Sequence, residues 1–258
     1  MSTPFVLIER SGPIARVILD RPERRNPLSV QMMSEVTAAI RELGSDPTCG
    51  VVVLTGSGPA LSAGHEISEM VDRSLEDERE VFTTCVELME TIQAIRQPVI
   101  AEVQGHAIAA GCQLVATCDL AVAVDTARFG TPGVKIGLFC STPMVAVSRN
   151  IGRKRAMHML LTGETIDAAT AVDWGLVNEA VPAEQLRTRV DELATRIADA
   201  SPLTLEIGKQ AFYRQIDLPQ DQAYIQMAET MATNAVTCDA QEGMTAFLEK
   251  RTPQWRGE

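Results

Sequence analysis

Three glycine-bearing stretches hold the groups that could do chemistry. The first is Gly56-Ser57-Gly58-Pro59-Ala60-Leu61-Ser62-Ala63-Gly64-His65. Glycine lets a backbone bend and present its N–H groups, so this stretch is either a ligand cradle or an ordinary surface loop. The second is Gly105-His106-Ala107-Ile108-Ala109-Ala110-Gly111-Cys112-Gln113. Very small residues here open a helix, and free N–H groups at a helix start attract developing negative charge. Close helix packing asks for the same small residues. The spacing is not G-x-G-x-x-G, so no nucleotide fingerprint is read. The third runs from Gly130-Thr131-Pro132-Gly133 to Gly137-Leu138-Phe139-Cys140-Ser141-Thr142-Pro143. Cys140 and Ser141 can line a site, or Ser141 can cap the next helix. Neither lies in G-x-S-x-G, so a Ser or Cys hydrolase ranks last among the readings.

The elements that must position these stretches alternate. Residues 5–10 and 14–19 read as strands around Ser11-Gly12-Pro13. Ser29 caps a helix whose apolar positions Met32, Met33, Val36, Ala39, Ile40 and Leu43 recur at helical spacing, with Gly44 ending it. Residues 51–55, 99–103 and 120–124 are short apolar runs, as expected of buried strands. A charged helix fills 75–96, and a small-residue helix starts near Ala110. Helices follow near 142–150, 153–161 and 167–174, then a late strand at 177–181. From Ala183 only helices are read, at about 183–199, 202–215, 221–236 and 239–250. Strands interleaved with helices before a helical tail predict an α/β protein with a helical appendage. Glycines after strands at 56, 105 and 130 hint at stacked β–β–α units.

Composition narrows the function. The chain has 258 residues, 45% apolar and 4% aromatic, with a formal charge of −11. That is enough apolar content for one large domain. The negative charge argues against unspecific nucleic-acid binding and against an anionic membrane surface. The start, Met1 to Arg10, has too short an apolar run for a secretory signal, and the apolar stretch 99–124 is broken by polar residues, so no spanning helix is read. The cysteines at 49, 85, 112, 118, 140 and 238 form no C-x-x-C, and the histidines at 65, 106 and 158 are far apart. Free thiols, no metal site and a cytoplasmic location are the expectation.

The combination of motifs resembles the enoyl-CoA hydratase/isomerase family, the crotonase superfamily. It is carried by Leu61-Ser62-Ala63-Gly64-His65-Glu66-Ile67, by Gly105 to Leu114, and by Cys118-Asp119-Leu120. Leu19-Asp20-Arg21-Pro22 with Asn26-Pro27-Leu28-Ser29, Leu161-Thr162-Gly163, Gly175-Leu176-Val177 and Glu242-Gly243-Met244-Thr245-Ala246-Phe247 also match, so the likeness spans essentially the whole chain. One branch of the family is most similar in the runs 109–116, 131–134 and 137–143. The resemblance implies an α/β spiral of β–β–α units over residues 1–198 and a helical trimerisation region over 199–258. It implies an acyl-CoA ligand, no cofactor beyond that thioester, and a homotrimer or dimer of trimers. It also implies that the backbone amides of His65 and Ala110 hold the thioester oxygen. Ala63, Glu66 and Ile67 would then flank the CoA ligand, and the His65 side chain need not take part.

The chain departs from the family where protons are handled. The two glutamates of a typical hydratase match Gln113 and Gly133, and a third carboxylate position used elsewhere in the family matches Ser141. An amide does not exchange a proton near neutral pH, and glycine has no side chain. Weak or absent hydration is expected, and glutamates restored at 113 and 133 should raise it. Substitute acids are Glu66, Glu102 and Cys140. The anionic CoA needs local basic groups in an acidic chain, and by resemblance these are Arg24, Arg25, Lys250 and Arg251. The competing functions are an acyl-CoA enzyme with an altered acid–base set, a non-catalytic acyl-CoA binding protein, and a thioester hydrolase using Ser141 or Cys140.

Overall fold

The structure, a computed structural model, describes residues 4–258. Met1, Ser2 and Thr3, where the targeting reading begins, lie outside the described residues. Strands β1 (Val6–Ser11) and β2 (Ile14–Leu19) form an antiparallel hairpin, and helix α1 (Val30–Ser45) follows. Ser29 caps α1, its hydroxyl accepting from the Met32 amide at 3.1 Å. Gly44 does not end this helix. It continues to Ser45, and the Asp46 amide closes it on the Leu43 carbonyl.

Next come β3 (Val51–Gly56), β4 (Ala60–Ser62), α2 (Leu75–Ala94), β5 (Val99–Val103), β6 (His106–Ile108), α3 (Ala110–Thr117), β7 (Leu120–Val124) and β8 (Arg128–Gly130). A long strand, a short strand and a helix thus recur. The long strands join the hairpin in a six-stranded sheet ordered β1-β2-β3-β5-β7-β10, and β2, β3, β5, β7 and β10 run parallel. The short strands form a second sheet, β4-β6-β8-β9, with β9 antiparallel to β8. The three-residue strands β4, β6 and β8 escape the sequence reading because period-two alternation has no length to show in them.

The rest of the chain is α4 (Ser141–Asn150), α5 (Arg153–Thr162), β9 (Thr165–Asp167), α6 (Ala168–Trp174), β10 (Glu179–Val181), α7 (Leu186–Ala198), α8 (Pro202–Gln215), α9 (Gln220–Ala235) and α10 (Cys238–Glu249). The expected division at 198/199 falls between α7 and α8. Every residue of β3 and β5 is buried, as parallel strands covered on both faces must be. A buried ion pair joins sheet to helix: Arg16 on β2 meets Glu102 on β5 at 3.1 Å and Asp191 on α7. Glu102 is therefore committed to the sheet–α7 layer.

The tail is tied to the core through Asp119, which follows α3. Its carboxylate accepts from the Val99 amide and the Tyr213 hydroxyl, both at 2.7 Å, and pairs with Lys209 at 2.8 Å. Lys209 also donates to the carbonyls of Ile92 and Gln97. Burial pushes this ammonium below the ordinary lysine range, and Asp119 opposes that shift. Further out the tail is less covered. Ile225 on α9 and Phe247 and Leu248 on α10 are 73%, 82% and 80% exposed, more than isolated apolar surface residues explain.

Candidate active site

The chain on either side of β4 is held at two points. Asn26, fully buried, donates from Nδ2 to the carbonyls of Ser57 (2.9 Å) and Ala60 (2.8 Å). Leu28 grips the residues around His65: its amide donates to the Gly64 carbonyl at 2.8 Å, and its carbonyl accepts from the Glu66 amide at 3.2 Å. This leaves the His65 amide with no acceptor among the described residues.

The Ala110 amide is the first of α3, and it too has no acceptor among the described residues. Ala109, the residue before it, has φ 52° and ψ −116°, a conformation alanine enters only at a cost of about 1–3 kcal/mol. Its amide donates to the Gly130 carbonyl at 2.8 Å, which holds that geometry. The two free amides belong to neighbouring backbones. At Gly64 (φ +98°) an added Cβ would lie 2.9 Å from the Ala109 methyl and 3.4 Å from the Ala110 nitrogen. Only glycine permits this approach.

Both loops open on a cavity of about 690 Å³. Ala63, His65 and Ile67 line it from one loop, Ile108 and Ala109 from the other, and Phe82 from α2. The segment from Pro132 to Pro143 closes it, with Gly133, Cys140 and Ser141 in the lining. Gln113 is not in the lining. It is buried in α3, where its Oε1 accepts a long contact of 3.8 Å from the Cys85 thiol.

Gly133 has no room for a side chain. The Leu138 carbonyl oxygen and the Cys140 sulfur, the latter at 2.8 Å, stand where a Cβ would go. The expectation that a glutamate restored here would raise hydration is corrected: the backbone turn fills that space. Cys140 is buried, and burial pushes its thiol up, with the Gly133 amide offsetting part of the shift. A protonated thiol is a poor nucleophile. Ser141 is not the cap of α4 but its first residue, and its hydroxyl donates to the Phe139 carbonyl at 3.3 Å.

Glu66 lies outside the lining. Its carboxylate makes a two-point pair with Arg24 (2.8 and 3.0 Å) and accepts from the Ser68 hydroxyl at 2.7 Å. Burial pushes this carboxyl up, but Ser68 and Arg24 more than reverse it, so it stays ionised. Arg24 is thus tethered beside the loop that carries His65. Arg25 is exposed in a left-handed turn, and its carbonyl accepts from the Ala63 amide at 2.9 Å. Lys250 caps the end of α10, is exposed and is not among the lining residues. Arg251 beside it is engaged by Glu242 (2.6 and 2.9 Å) and Glu249 (2.7 Å).

Sequence reasoning passed over Phe82, Lys135 and Ile136, all in the lining. Phe82 carried a signal. It stands one position off the buried stripe Val81, Cys85, Leu88, Met89 and Ile92, so α2 offers it to something other than the core. Its ring meets the His65 ring edge-on at 5.4 Å.

Comparison with known proteins gives one consistent likeness. A sequence model described as enoyl-CoA hydratase/isomerase matches residues 9–258. Enoyl-CoA hydratase domain-containing protein 3, mitochondrial, of Xenopus laevis is 43% identical over 98% of this chain and 86% of that protein. The crystal structure of an enoyl-CoA hydratase from Mycobacterium smegmatis superposes with a TM-score of 0.96 at 43% identity, covering 98% of this chain and 99% of that one. That of human enoyl-CoA hydratase domain-containing protein 3 gives 0.95 at 40% identity, covering 97% and 100%. The cytoplasmic expectation is corrected here, because the Xenopus protein and the human one are both named mitochondrial. Free thiols report a reducing environment and do not say which compartment supplies it.

Proposed function

Since the chain belongs to the enoyl-CoA hydratase/isomerase family, we propose that it binds an acyl-CoA in this cavity and holds the thioester oxygen between the amides of His65 and Ala110. The observation that carries the reading is this pair of unpartnered amides at the wall of a largely apolar cavity. Enolate formation puts negative charge on the thioester oxygen, where two fixed donors are worth most. The chemistry calls for no cofactor beyond the thioester itself.

Hydration needs groups that give and take protons, and the described lining residues include no carboxylate. Ordinary 2-enoyl-CoA hydration is therefore weak, and isomerisation, which also takes a proton from carbon and returns it, has to draw its base from outside this lining. The same absence favours a second reading, an acyl-CoA binding protein that has kept the cradle without the proton-transfer groups. Thioester hydrolysis through Cys140 or Ser141 has little support, given the raised thiol and a hydroxyl spent on a carbonyl.

Arg24 and Arg25 are the basic groups assigned to the CoA phosphates, with Arg24 also paired to Glu66. Lys250, from a neighbouring subunit, would add a further charge, while Arg251 is already taken up by two glutamates. The exposed apolar residues of α9 and α10 support a homotrimer or a dimer of trimers.

The test is incubation with crotonyl-CoA and longer enoyl-CoAs, following loss of the conjugated thioester absorbance, with calorimetry alongside. Binding with slow hydration is the expected result. Efficient hydration would overturn the assignment of the acid–base set, and no binding at millimolar concentration would overturn the ligand.

A further inference from the structure

Two consecutive residues ahead of α1, Arg25 and Asn26, have left-handed backbones, with φ of 62° and 51°. Asparagine tolerates this region better than most residues, and such outliers persist where the surroundings over-determine them. The surroundings of Asn26 do so. Its Oδ1 accepts from the Arg21 amide at 2.8 Å, and its Nδ2 donates to the carbonyls of Ser57 and Ala60. One fully buried side chain thus ties three backbone segments: its own turn, the exit of β3 and the start of β4. Asn26 is not among the residues lining the cavity.

The turn fixed in this way carries the segment that meets the His65 loop. The Arg25 carbonyl accepts from the Ala63 amide, the Leu28 amide donates to the Gly64 carbonyl, and the Leu28 carbonyl accepts from the Glu66 amide. Leu28 and His65 pair in parallel. In such a pairing the backbone groups of successive residues point to alternate sides. Leu28 takes the carbonyl before His65 and the amide after it, so the His65 N–H is turned away from Leu28.

Resting on the acyl-CoA reading above, with its two backbone donors, we propose that Asn26 is a positioning residue for the thioester oxygen. Its side chain touches no ligand. It holds residues 25–28 in register with residues 63–66, and that register sets the direction of the His65 N–H. A donor is worth most when it is fixed in advance where charge develops. Loosening the register therefore costs polarisation of the thioester more than it costs affinity.

Cinnamoyl-CoA is the probe. Donors on its thioester oxygen draw electron density along the conjugated chain and move its absorption to longer wavelength. Bound to the full parent chain it should show this red shift, with affinity read by calorimetry. Asn26→Gly keeps the left-handed backbone at no steric cost and removes all three side-chain bonds. It should lose roughly half of the shift, as when one of two donors is mis-aimed, while affinity weakens by less than about tenfold. Asn26→Ser retains one donor, should lose a smaller part of the shift, and serves if the glycine variant does not fold. Lys209→Met on α8 controls for lost stability and should keep the parent's shift. A folded Asn26 variant with the full shift would overturn the proposal and leave the acyl-CoA reading intact. So would an equal loss in Lys209→Met, which would trace the effect to general loosening. Binding without a shift in the parent chain would remove the two amides as oxyanion donors and the proposal with them. Failure to bind would remove the acyl-CoA reading as well.

Discussion

The Leu138 amide donates to the Gly133 carbonyl at 3.0 Å, while the Leu138 carbonyl oxygen fills the place from which a side chain at Gly133 would grow. The turn from Pro132 to Leu138 has closed over a position where related hydratases, by the sequence resemblance, carry a glutamate. Gly133→Ala should destabilise the protein by about 1–3 kcal/mol through overpacking, measured by urea unfolding. Gly133→Glu should not add hydration of crotonyl-CoA. A folded Gly133→Glu variant with raised turnover would mean that the turn opens freely.

Gly64 should be as intolerant, for a different reason. Gly64→Ala would drive a methyl against Ala109 and separate the two free amides. If those amides hold the thioester oxygen, kcat/KM on whichever thioester is turned over should fall about 10²–10³-fold. Acyl-CoA affinity should weaken as well. Retained affinity and turnover would place the oxygen elsewhere.

His65 gives a pH dependence with a defined sign. Its folded pKa of about 4 lies below the ordinary 6.5, so the unfolded chain binds a proton more readily. Its contribution to stability is full above the unfolded value and is lost as pH falls from 6.5 towards 4. Between pH 7 and pH 4.5 the native chain should lose about 2 kcal/mol more stability than His65→Phe, compared by urea unfolding at both pH values. Parallel losses in the two proteins would contradict a neutral buried imidazole.

Lys209→Met should be costly. It leaves the Asp119 carboxylate in the interior with Tyr213 and the Val99 amide but without its cation. Breaking a buried pair from one side typically costs about 3–5 kcal/mol. Thermal unfolding at neutral pH would register the loss. A variant within a few tenths of a kcal/mol of the parent would mean that the Lys209–Asp119 pair adds nothing to the hold on α8.

Much of this architecture was legible in the sequence. Strands β2, β3, β5 and β7 were readable because continuous apolar runs bounded by turn residues leave little choice, and Ser29 announced α1 through its hydroxyl. Glycine placement at two strand exits marked the loops that the structure brings side by side, with the His65 and Ala110 amides unpartnered among the described residues. What could not be read depends on side-chain direction. Glu102 alternates on a strand and turns towards Arg16, and Glu66 turns towards Arg24. Gln113 lies on a helix buried on every side, where spacing does not say which face meets the cavity. The Gly133 turn was hidden for another reason, because a carbonyl filling a side chain's place depends on the conformation of residues five positions later.

The grip of Leu28 on both sides of His65 also has a consequence in time. Residues 28 and 65 are brought together across α1 and β3, and the Ala110 amide comes from still further along the chain. Pairings of such separation form after local helices, because loop closure must precede the contacts that reward it. The two amides are therefore aimed only when the parallel ladder of β2, β3 and β5 is in place. A partly folded intermediate with its helices formed would have no working site, and recovery of acyl-CoA binding during refolding should lag behind recovery of helical signal.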